Sequence, residues 1–173
     1  MDELVTFRES QFINFRDYEF DSGAHHLYRW IVIKTYDLAG AISDDKAIIA
    51  GVIGSVEYRD DYVGGGVDPN GNVHGPYWLT SISPACYLPR DGSTFRRVLD
   101  EWLGMGGVIP SGLRSVIDEA LRPLYDPSIS CYELPRLSES AINDYADIHS
   151  KYHEFLFISR NEKKAVLLVA SDD

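Results

Sequence analysis

FLFISRNEKKAVLLVA, residues 155–170, is the stretch on which the architecture turns. Two apolar runs, 155–158 and 165–170, flank the polar segment 159–164, which is the pattern of a β-hairpin. Neither run alternates with polar residues, so both faces of the hairpin need covering. Working back along the chain, residues 28–36 (YRWIVIKTY) are rich in β-branched and aromatic side chains. They place Trp30, Val32 and Lys34 on one face and Ile31 and Ile33 on the other, as a central strand does. Residues 130–134 add a short strand. The expectation is an α+β fold, a mainly antiparallel sheet with about four helices packed on it, in a single domain spanning residues 1–173.

Four segments supply those helices. Ser43, Asp44 and Asp45 form a helix start, with a capping hydroxyl and two acids at the positive end of the dipole. Ile48, Ile49, Val52, Ile53 and Val56 follow as an apolar stripe, and Gly51 and Gly54 permit close packing against a sheet. Ser93 caps a segment with Phe95, Val98, Leu99, Trp102 and Leu103 on one face, ended by Gly104, Gly106 and Gly107. Pro110 and Ser111 open another, with Leu113, Val116, Ile117, Ala120, Leu121 and Leu124 as its stripe. A fourth helix is expected from Ser138 to about Lys151. The Phe12, Phe15, Tyr18 spacing suggests a short extra one near the start. Residues 63–76 (VGGGVDPNGNVHGP) are the long loop, read as the tip of a hairpin whose strands are 56–62 and 77–83.

Charge is the main functional signal. The chain carries 27 acidic side chains against 16 Lys and Arg, a net charge of -11, so its surface suits a cationic partner. The surplus is not a removable tail: residues 1–63 hold 12 acids and 6 bases, and the remainder 15 and 10. The same charge repels phosphate and disfavours nucleic acid. The start, MDELVTFRES, has no basic-then-apolar signal pattern, and no run of about 18 apolar residues exists, so cytoplasmic residence off the membrane is the expected location. Cys86 and Cys131 are read as two buried reduced thiols rather than a disulfide.

Chemical motifs fall away one by one. His149 and His153 are four apart, but no HExxH surrounds them, and the adjacent His25 and His26 point to opposite sides of an extended chain. Asp68-Pro69-Asn70-Gly71-Asn72 starts like a calcium loop, yet Val73 and Leu79 stand where that loop needs Gly and Glu. Gly64-Gly65-Gly66 is not followed by Gly-Lys-Ser or Gly-Lys-Thr, and no Gly-x-Ser-x-Gly exists. No catalytic residue, metal ligand or cofactor is therefore assigned.

What remains is the tract 57–62, where Glu57, Tyr58, Asp60, Asp61 and Tyr62 alternate acids with tyrosines beside the glycine loop. Tyrosine supplies contact energy and carboxylates steer a basic partner. The expected function is an acidic binding protein on the pattern of a bacterial immunity protein. It would neutralise a basic toxin, such as a nuclease, by electrostatic capture and occlusion. The alternatives are a small enzyme with His74 facing Asp60 or Asp61 as acid–base partners, and an acidic DNA mimic of a phage or mobile element.

Overall fold

The computed structural model describes residues 3–21, 28–40, 44–63, 66–144 and 151–172. Its centre is a six-stranded antiparallel sheet built from β1 (Val5–Asn14), β2 (Arg29–Leu38), β5 (Leu88–Arg90), β6 (Ser130–Leu134), β7 (Lys151–Ser159) and β8 (Lys164–Asp172), in the order β1-β2-β8-β7-β6-β5. The hairpin of 155–170 is β7–β8, with Phe155 opposite Leu168 and Phe157 opposite Val166. β2 lies between β1 and β8, as its two-faced apolar character requires. The fold is α+β.

The strand alternation divides the interior in two. On one face, Ile13, Ile31, Ile33, Phe155, Phe157, Leu168 and Ala170 pack against α2 (Gly92–Gly104) and α3 (Ser111–Leu121) through Phe95, Leu99, Trp102, Leu113 and Ile117. Asp91, rather than Ser93, caps α2, accepting from the Thr94 amide at 2.9 Å. The far end of α2 is tied to the sheet by the buried Arg29, which donates to the Trp102 carbonyl and to Asp172, a cation placed at the negative pole of the helix.

On the other face, Tyr36, Leu156, Ile158, Ala165 and Leu167 meet α1 (Asp45–Ile53). Asp44 caps α1, and Ile48, Ile49 and Val52 are its buried stripe; Ser43 lies outside the described residues. A Cβ on Gly51 would stand 2.6 Å from Val5 Cγ2, so the missing side chain is what lets α1 approach β1.

Several expectations need correction. Among the described residues there are three α-helices, not about four. The segment after Ser138 makes only the 3-10 turn Glu139–Ala141 and then bridges Ile142 to Tyr77; residues 145–150 lie outside the described part, and Lys151 already belongs to β7. The Phe12–Phe15 spacing is not helical. β1 runs through Phe12 to Asn14, because nine backbone pairings with β2 outweigh a weak local periodicity, and Phe15 then turns into the core in a 3-10 turn. The long hairpin around 63–76 is also absent. Val56–Tyr58 is a 3-10 turn, Asp60 bridges Val67, and a two-residue hairpin pairs β3 (Val73–His74) with β4 (Tyr77–Trp78). Among the described residues no helix is long and apolar enough to cross a membrane.

Candidate functional site

The tract 57–62 crosses the face of the sheet near β2 and is pulled inward by two buried charges. Lys34 sits on the inward face of β2 in register with Trp30 and Val32, where a cation needs compensation. Its ammonium donates to Asp60 Oδ2 at 2.9 Å and to the Glu57 carbonyl at 2.6 Å, and it lies 4.7 Å from the centre of the Tyr62 ring. Asp60 Oδ1 accepts from the Tyr62 amide. Tyr62, held at φ +60°, stacks on Trp30 with centroids 5.4 Å apart, and its buried hydroxyl has no hydrogen-bond partner among the described residues.

Beside this pair lies a second polar set, which the sequence reading missed. His74 and Glu154 are both fully buried, with His74 Nε2 2.5 Å from Glu154 Oε1. The other ring nitrogen, Nδ1, is 2.6 Å from the Tyr58 carbonyl, and the imidazole lies flat on the Tyr58 ring at 3.6 Å. Both ring nitrogens are thus engaged by oxygen atoms, Nδ1 by a backbone carbonyl and Nε2 by the Glu154 carboxyl. Tyr152 donates to Glu154 Oε1 at 2.6 Å, and Tyr87 donates to Oε2 while accepting from Tyr58.

Burial by itself raises the Glu154 pKa; the charge of His74 and the three hydrogen bonds outweigh it and hold the carboxyl below its usual range. Burial, then the Glu154 charge, pushes Tyr58, Tyr87 and Tyr152 well above the usual tyrosine value. The loop is locked here by Gly75, at φ +52°, whose amide donates to the Asp60 carbonyl and whose absent Cβ leaves room for the Tyr152 ring.

The five residues assigned to partner binding therefore divide. Tyr58 and Tyr62 are interior side chains and Asp60 is the buried partner of Lys34. Glu57 and Asp61 are half-buried, and Asp61 accepts from the Val63 amide at 3.0 Å. His74 faces Glu154, not Asp60 or Asp61, and is sealed from solvent. The tract does border two surface hollows. One, of about 540 Å³, runs between Glu3–Phe7 of the β1 end and Gly51, Gly54 and Glu57. The other, of about 480 Å³, is lined by Ser10, Phe12, Arg16, Trp30, Val32, Asp60 and Tyr62 among others.

The buried set did leave a trace in the sequence. Lys34 and Glu154 each occupy an inward position of a strand whose neighbours at i±2 are apolar or aromatic, and such a charge demands a partner from elsewhere in the chain. Nothing local identifies the partner, because Glu154 is 80 residues from His74. His25, His26 and His149 lie outside the described residues, while His153 is on β7 with its ring edge against Trp102. Among the described residues no group of three His, Cys, Asp or Glu could hold a metal ion. Cys86 and Cys131 are free thiols; Cys86, expected in the core, is half-buried, and burial pushes the Cys131 pKa up to about 12.

No family model matches the chain, and no curated protein matches it. Two crystal structures of citrus MAF1 are similar to it at 14% identity, over 92% of this chain and 94% or 95% of theirs, with TM-scores of 0.41 and 0.39.

Proposed function

We propose that this chain is an acidic binding protein of the immunity type, which captures and occludes a basic protein, with a cationic toxin such as a nuclease as the fitting partner and the cytoplasm as the place of action. The observation that carries the reading is the net charge of -11 together with the exposure of the carboxylates in residues 3–21. Glu3, Glu9, Asp17, Glu19 and Asp21 are exposed there. The same stretch of chain carries two arginines, Arg8 and Arg16, and Arg8 is already paired with Asp37 at 3.1 Å. Such a field accelerates encounter with a positive surface and weakens as salt screens it. The interior acid–base set supports the same reading from the other side: His74 and Glu154 saturate each other away from solvent, so their chemistry serves the fold.

The test is association with the basic protein encoded immediately upstream of this chain's gene, followed by stopped-flow mixing at increasing salt. The association rate should fall about tenfold or more between low and high ionic strength. The double variant Glu9→Lys with Glu57→Lys should weaken binding by about tenfold. Asp60 is the wrong position for this test, since its reversal strands the buried Lys34. Salt-independent association, or full affinity in the reversed variant, would remove the electrostatic capture mechanism.

A further inference from the structure

We infer that the outer edge of β1, which pairs with no other strand among the described residues, is the docking line for that partner, which adds an extended segment alternating basic and apolar side chains as a seventh strand. The inference rests on the proposed capture of a basic protein and names how the partner is held.

The two edges of the sheet are unlike. β5 is three residues long and contains Pro89, so it offers little backbone to pair with. β1 is ten residues long, and beyond its single bulge near Arg8 the stretch 9–14 runs regularly against β2. Residues 8–12 are all exposed, on both faces of the strand. Pairing on this edge would satisfy a row of backbone donors and acceptors, and alternate side chains of the guest would fall on opposite faces.

Those two faces ask for different chemistry. On one, Ser10 and Phe12 open onto the hollow with Trp30, Val32 and Tyr62; Phe12 is 59% exposed with its ring 6.4 Å from Trp30. That side takes an apolar side chain. On the other, Glu9 and Gln11 lie opposite Thr35 and Ile33 and are exposed, so that side takes a cation. The charge of the chain argues against a second copy as the occupant, since two bodies of net charge -11 repel.

The probe is a capped eight-residue peptide alternating arginine with valine, added to the full chain uniformly labelled with nitrogen-15. The expected result is saturable binding with hydrogen-exchange protection rising about tenfold at some of the amides in 9–14, and binding about tenfold weaker for the same peptide N-methylated at alternate backbone nitrogens. Phe12→Ser, at an exposed position that leaves the fold intact, should weaken the unmodified peptide by a similar factor. Equal binding of the methylated peptide would overturn strand addition while leaving electrostatic capture standing. Absence of peptide binding, or concentration-dependent dimerisation that protects 9–14 without peptide, would also overturn it, the latter assigning the edge to a second copy. Loss of salt-dependent association with the basic protein itself would instead remove the reading on which the inference rests.

Discussion

Glu154→Gln keeps the shape of the buried side chain and removes its charge. Glu154 is fully buried and accepts from His74 Nε2, the Tyr152 hydroxyl and the Tyr87 hydroxyl. An amide has one oxygen for those three donors, and its NH2 group is turned against one of them. His74 is left without its carboxylate partner at a position with no access to water. Breaking a buried pair from one side costs about 3–5 kcal/mol. Solvent screening does not reduce that figure here, because both partners are inaccessible. Against a total stability of roughly 5–15 kcal/mol this is a large fraction. For a chain of this size it corresponds to a fall in Tm of roughly 6–20 °C.

Urea unfolding followed by tyrosine and tryptophan fluorescence would measure it, with Glu162→Gln on the exposed turn as a control expected within about 0.5 kcal/mol of the parent. The pH profile gives an independent reading. The Glu154 carboxyl titrates below its ordinary 4.5 in the folded state, so its contribution is present above that value and is lost as pH falls through the lower folded pKa. The acid limb of the stability curve should therefore be shallower in Glu154→Gln. If the variant loses less than about 1 kcal/mol and keeps the same acid limb, the buried ion pair is not what holds this side of the molecule together.

Two further predictions test neighbouring parts of the structure. Gly75→Ala places a Cβ 2.6 Å from the Tyr152 hydroxyl at φ +52°, and should destabilise by about 2–4 kcal/mol through backbone strain and the lost tyrosine–Glu154 bond, read by the same urea titration. In the native protein a thiol reagent should label Cys86 alone, with Cys131 reacting only after unfolding; equal rates at both would contradict the burial of Cys131.

The local signals in this chain were strongest where one element could be recognised from its own residues. β2 and the β7–β8 hairpin carry continuous apolar runs, and α2 and α3 carry apolar stripes with turn residues at their ends, so each announces itself without knowledge of its neighbours. β1 does not, because VTFRESQFIN has no consistent period and takes its conformation from pairing with β2. The tract 57–62, expected as a strand presenting acids and tyrosines to a partner, is not one for the same reason. Its burial depends on Lys34, more than twenty residues earlier, and on a glycine turn that brings His74 beneath it.

Composition and periodicity thus determined the α+β class, the central strands, the packed helix pair and the negative charge, since each is a property of a single segment or of the whole count. Only the tertiary structure decided which charges are displayed and which are consumed inside. A carboxylate on the surface and one facing a histidine or a lysine in the core are the same letter in the sequence, and what separates them is the partner that folding brings within hydrogen-bond distance.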